Sequence, residues 1–180
     1  MVAAIVPTVV SINGGGWGTI IGTEFDPGAT VSLGDRNVQA YVHDRTTIVF
    51  WTVAHDPGTV DVTVTNPGGR ASTLTGSFSF AQPASFDFNG NWVAYAGGDY
   101  ETDMRFSIRN DVLVSVSCGT SVVSTLSARL SVVNGEFSFR GDDGFAMSGR
   151  LVSPMNAVGT INVPDTVPDC TAARWWADKK

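Results

Sequence analysis

Three carboxylates at alternate positions, Asp99, Glu101 and Asp103, are the first residues whose type and spacing could do chemistry. On a strand they would aim to one side, and Asp142-Asp143 adds two more acids in a turn-like stretch. Hard oxygen donors of this kind suit calcium, which takes about six to eight of them. The full ligand loop of an EF-hand is missing, so the plainer reading is a solvated acidic strand face. Calcium is the one ion these residues would suit, and no other cofactor is expected. His43 and His55 fall into neither His-x-x-x-His nor His-x-Glu spacing, which excludes the usual zinc arrangements. His55, in the stretch AHDPG, reads as a solvent-exposed turn residue. No Gly-x-Ser-x-Gly elbow marks a serine as activated, so no catalytic residue is expected and the chain reads as a non-enzyme.

The tryptophans offer a second kind of chemistry, because an exposed indole can stack on a sugar ring or fill a partner's pocket. Trp51 and Trp92 lie in dense apolar stretches and read as core. Trp17 follows three glycines, and Trp175 and Trp176 are adjacent, so on a strand one of that pair must point away from the core. Trp17, Trp175 and Trp176 are therefore the candidate binding residues, with packing against another protein surface as the alternative. Cys118 and Cys170 permit one disulfide, and closing a loop of that length would contribute about 4 kcal/mol in the chain-entropy model. Two buried thiols are the alternative. Neither cysteine has Cys-x-x-Cys spacing.

The elements that must position these residues are strands. Apolar residues make up 43% of the 180 and charged residues only 16%, which suits short strands with Ser, Thr, Asn and Gly on their outer sides. The net charge is −6, the only lysines are Lys179 and Lys180, and the arginines are scattered singly. With no basic stripe to neutralise phosphates, nucleic acid is excluded as a partner. The apolar start, MVAAIVPTVVSI, has no cationic residue ahead of it and is broken by Pro7. It reads as a first strand with a short apolar arm before it rather than as a targeting segment. No stretch approaches the roughly 20 apolar residues needed to span a bilayer, so membrane insertion is not expected.

Seven strand signals follow at short intervals: VVSI (9–12), WGTIIG (17–22), ATVSLG (29–34), NVQAYVH (37–43), TTIVFWTV (46–53), TVDVTVTN (59–66) and STLTGSFSF (72–80). In the sixth, Val60, Val62 and Val64 alternate with Asp61, Thr63 and Thr65, as a strand with one buried side requires. Asp26-Pro27-Gly28 and Asn66-Pro67-Gly68-Gly69 read as turns, since proline presets φ at one position and glycine accepts positive φ beyond it. Gly14 to Gly16 would let the chain swing between sheets, and Gly22 would permit close packing or a bulge. A phosphate-cradling loop would need a helix or a Lys-Ser/Thr pair after it, and neither follows.

Residues from about Pro7 to Phe80 resemble an IPT/TIG domain, an immunoglobulin-like sandwich. The resemblance is carried by GGGWGTIIGTEF, PGATVSLGD, VDVTVTNPGGRAS and the aromatic strand GSFSF. Where the family has a proline-rich lead, this chain has only Ser11-Ile12-Asn13. The resemblance implies a module of the kind found in surface proteins, in receptors and as spacers in polysaccharide-acting enzymes. The family's DNA-binding members use basic recognition loops, and the loops here are neutral or acidic.

Residues 82–85 read as a linker between a domain at 1–81 and a second at 86–180. The second half is again strand-rich, with Asn134-Gly135 between LSVV and EFSF marking a two-residue type I′ hairpin. Arg109-Asn110-Asp111 and Gly141-Asp142-Asp143-Gly144 read as slightly longer turns. An antiparallel meander is expected, folded as a second sandwich or a small barrel. The whole is read as an all-β, non-enzymatic structural or adhesion protein on the exterior of a virion or bacterial cell, acting through contacts with other proteins or further copies of itself. A carbohydrate-binding module of a secreted or surface protein is the alternative.

Overall fold

In a computed structural model, residues 1–96, 102–118, 121–124, 128–129, 131–141, 144–163 and 173–180 are described. The chain divides into two compact units, Met1–Gln82 and Pro83–Lys180, each with its own hydrophobic cluster.

The first unit is a sandwich of two sheets. One sheet has the order β1 (Val2–Val6), β3 (Trp17–Gly22), β7 (Thr47–Trp51) and β6 (Ala40–Asp44). The other has the order β2 (Val9–Ser11), β9 (Ala71–Ala81), β8 (Gly58–Thr65), β4 (Thr30–Leu33) and β5 (Arg36–Val38). Ile5, Ile20, Ile48 and Phe50 from the first sheet meet Val10, Leu33, Val62, Phe78 and Phe80 from the second. Phe50 and Phe78 cross edge to face, with ring centroids 5.8 Å apart.

Two expectations change here. The apolar arm is itself β1, paired antiparallel with β3 from Val2 to Val6, because Val2 and Ile5 gain burial in the core. The stretch 37–43 is two strands in different sheets, β5 and β6, with the switch at Gln39.

The turns are those the sequence dictates. Ala29 N–H bonds the Asp26 carbonyl with Gly28 at φ 87°, and Gly69 N–H bonds the Asn66 carbonyl with Gly69 at φ 80°. Asn66, buried, ties both loops together: its Oδ1 accepts from Asp26 N–H at 3.1 Å and its Nδ2 donates to the Glu24 carbonyl at 2.8 Å.

The second unit is an antiparallel meander. Its strands are β10 (Gly90–Ala96), β11 (Thr102–Arg109), β12 (Val112–Cys118), β13 (Ser121–Ser124), β14 (Ala128–Arg129), β15 (Ser131–Val133), β16 (Glu136–Arg140), β17 (Ala146–Leu151), β18 (Asn156–Asn162) and β19 (Ala173–Lys179). They run β13-β12-β11-β10-β19-β18-β17-β16-β15, so the first strand of the unit pairs the last. β14 pairs β12 at one end of that order and β15 pairs β16 at the other. Only residue 130 separates β14 from β15 in the chain, which brings the two ends of the sheet together. With its first and last strands paired and β14 joined to β15 through one residue, the meander is rolled up as a small barrel.

One core lies inside, built from alternate residues of each strand: Trp92 and Ala94, Met104, Phe106 and Ile108, Met147 and Leu151, Trp175 and Ala177. Asn134-Gly135 adopts φ 53° and 76°, the type I′ hairpin expected. Asn110-Asp111, at φ 52° and 59°, is a second two-residue turn of that kind rather than a longer one. Pro83–Ser85, read as linker, forms a short 3₁₀ turn within the second unit.

Candidate functional site

The β1-β3-β7-β6 sheet carries an unusual outer side. Its first feature is how the glycines set Trp17. Gly14 and Gly15 take φ 64° and 73°, and a Cβ on Gly14 would overlap the Val53 backbone. That close approach lets Gly15 N–H reach the Thr52 carbonyl at 2.8 Å, and Thr52 N–H the Gly16 carbonyl at 2.8 Å. The Thr52 hydroxyl completes the clamp by accepting from Gly16 N–H at 2.9 Å. The clamp fixes the next residues in register, with Trp17 directly opposite Trp51. Side chains so placed share one face, with Cβ atoms about 4.5–5.5 Å apart.

The alternation that buries Phe50 turns Trp51 outward, 42% exposed. Tyr41 pairs with Val49, so it lies diagonally from Trp51 on the same side, and it is 60% exposed. The row of Val6, Thr19, Val49 and Tyr41 crosses all four strands. Beyond it Ala4, Ile21 and Thr47 form the next row, with Ile21 47% and Val6 57% exposed. Strands β1, β3 and β7 contain no charged residue.

The opposite sheet shows what an ordinary solvated face looks like here. Asn37, Ser32, Thr63 and Thr73 align across β5, β4, β8 and β9, and the Thr63 and Thr73 hydroxyls hydrogen-bond at 2.9 Å.

Polar groups rim the apolar side. Asp44, exposed at the end of β6, accepts from Thr46 N–H and from its hydroxyl, both at 2.7 Å. The Thr46 side-chain and backbone hydrogen bonds hold the Asp44 carboxyl below its usual range, so it stays ionised at neutral pH.

Of the residues singled out in the sequence, Trp17 lies on this face, half-buried. Trp175 is in the barrel core, and Trp176 is half-buried on the other side of β19 beside Tyr95, ring centroids 5.8 Å apart. Trp17 belongs to the first unit, and Trp175 and Trp176 belong to the second, on opposite sides of β19. Trp51, read as core, is the correction, and Trp92 is buried as expected. The signal for Trp51 and Tyr41 was present, since strict alternation through TIVFW sends Trp51 out once Phe50 is in.

Asp99 and Glu101 lie outside the described residues, and Asp103 pairs with Tyr95 on β11. No cluster of three metal-ligating side chains occurs among the described residues. Cys118 is fully buried at the end of β12, and Cys170 lies outside the described residues. His55 is not the exposed turn residue expected: its ring stacks on Phe80 at 4.5 Å and 13°, with Nδ1 2.8 Å from the Asp56 carbonyl. His43 is exposed on β6.

Residues 1–81 match the IPT/TIG domain family. The first unit is therefore an IPT/TIG immunoglobulin-like sandwich, and the barrel after it carries no family assignment. Such domains are non-catalytic, and they often mediate protein–protein contacts or serve as scaffolds. No curated relative matches the chain. No helix among the described residues is long and apolar enough to cross a membrane.

Proposed function

We propose that this chain is a non-enzymatic structural or adhesion protein of a virion or bacterial cell exterior, and that its IPT/TIG unit presents the contact surface. The observation that carries the reading is the aromatic outer side of the β1-β3-β7-β6 sheet, whose strands β1, β3 and β7 carry no charge. Apolar side chains are ordinarily turned inward on a one-sided sheet, so a contiguous exposed set of them marks an interaction surface. The polar Ser/Thr rows on the other sheet show that the same unit can build a solvated exterior. Display outside a reducing compartment also accommodates a Cys118–Cys170 bridge. Immunogold labelling of intact source particles or cells with antibodies to the chain tests this reading. Surface labelling is expected; label reached only after the particles or cells are broken open would overturn it.

A further inference from the structure

We infer that the outer face of the β1-β3-β7-β6 sheet is a platform for a neutral glycan chain, seated across Trp17, Trp51 and Tyr41. The inference rests on the adhesion reading and names its ligand.

Size decides first. Four strands at about 4.8 Å spacing and three rows about 7 Å apart along each strand cover on the order of 300 Å². A stable homodimer or protein complex buries about 800 Å² per partner, so the patch is small for a second copy or another folded protein. It matches a strip a few sugar rings long.

Chemistry decides next. Trp17 and Trp51 stand side by side across the β3–β7 pair, and Tyr41 continues diagonally from Trp51 across β6. A diagonal neighbour lies about 7–8 Å away, so the three form a line that consecutive rings of one chain can follow. Indole and phenol rings offer flat faces to the C–H sides of pyranoses, while each keeps a polar tip for hydroxyls. Between and beside them stand the hydroxyls of Thr19 and Thr47, and Asp44 at the rim, all suited to sugar hydroxyl groups. A purely hydrophobic partner would leave these groups unmet, at a cost for each one buried.

Charge narrows the class. Asp44 is ionised, β1, β3 and β7 carry no cation, and the whole chain is at −6. An acidic polysaccharide would be repelled, so the ligand is neutral.

The test is affinity electrophoresis of the full chain through native gels containing hydroxyethyl cellulose, galactomannan, xyloglucan or dextran, with alginate as the anionic control. Retardation by at least one neutral polymer and none by alginate is expected. Trp51→Ala and Tyr41→Ser are each expected to weaken that retardation at least tenfold, while Thr63→Ala on the opposite sheet leaves it unchanged. Tyr41 sits exposed on an edge strand, so its variant keeps the test alive if Trp51→Ala misfolds by circular dichroism. Migration unaffected by every neutral polymer overturns the inference, as does retardation that both variants retain. A dimer in light scattering that Tyr41→Ser dissolves also overturns it, by showing that a second copy covers the face. None of these failures would move the immunogold result, so the adhesion reading stands or falls separately.

Discussion

Trp175 has an indole N–H that meets no acceptor among the described residues, buried in the barrel core. An unmet buried donor costs about 1–3 kcal/mol, so the ring's packing must outweigh it. The ring is held against Gly149 and Gly159, where a Cβ would overlap it, and at Gly159 would also overlap the Ser148 carbonyl oxygen. Two outcomes follow in urea unfolding read by near-UV circular dichroism. Trp175→Phe removes the orphan donor while keeping most of the ring, and is expected to change stability by less than about 1.5 kcal/mol. Gly159→Ala, which adds a single methyl group, is expected to lose about 1–3 kcal/mol through overpacking. At the first unit's surface, Asp44 provides a pH-dependent contribution. Its carboxyl titrates below the ordinary 3.8 because Thr46 hydrogen-bonds the charged form. A depressed folded value means the turn's contribution is complete above the ordinary range and is lost as pH falls through the lower one. Asp44→Asn is therefore expected to be less stable than the parent at neutral pH. The gap should narrow below pH ~4 and vanish in stronger acid, as thermal unfolding across pH would show.

Among the elements, Asn66 ties two loops together, joining the Asp26 N–H and the Glu24 carbonyl of the β3–β4 connection from the β8–β9 turn. Asn66→Ala would leave the half-buried Asp26 N–H without its partner, while the exposed Glu24 carbonyl keeps the Arg70 guanidinium at 3.4 Å, with an expected loss of about 1–3 kcal/mol. Thermal unfolding measures it. The turn around Asn66 was legible because Pro67 and Gly69 have φ requirements that do not depend on the rest of the fold. Asn66's bonds to the other loop were not, since their partners lie forty residues away. The same distinction runs through the strands. WGTIIG was bounded in sequence as it is in space, because Ile20 is buried between outward Thr19 and Ile21. Val2–Val6 has no clean alternation around Ala3 and Ala4, so its pairing with β3 rests on tertiary packing. The sheet switch at Gln39 is likewise set by which sheet each neighbour joins, with Val31 opposite Val38 on one side of the core and Phe50 opposite Ala40 on the other. Trp51 reads as core from the density of its apolar neighbours, but its parity with Phe50 within the strand turns it outward.

For the molecule as a whole, immunoglobulin-like class and a meandering second unit were legible because both follow from strand spacing and turn type. The choice between a sandwich and a barrel was not, because it depends on pairing between residues some eighty positions apart in sequence, Trp92 with Lys179 through Ala96 with Trp175. That pairing is the seam on which the second unit depends. β19 is hydrogen-bonded to β10 on one side and β18 on the other, and it brings Trp175 and Ala177 into the core. Lys179 adds a clasp at its end: its ammonium bonds the Asp87 carbonyl at 3.0 Å and lies 5.8 Å from the Trp92 ring centre. Removing residues 173–180 would therefore open two rows of backbone groups at once and empty the aromatic stack around Phe106 and Phe137. An edge so exposed cannot hold a one-sided sheet shut. In hydrogen exchange, the truncated chain is expected to lose slow exchange throughout β10 and β18. Lys179→Ala, which removes only the clasp, is expected to keep that protection with a loss of about 0.5–2 kcal/mol in stability, the range of one cation–π contact. Slow exchange persisting in β10 after the truncation would show that the barrel closes by some route other than this seam.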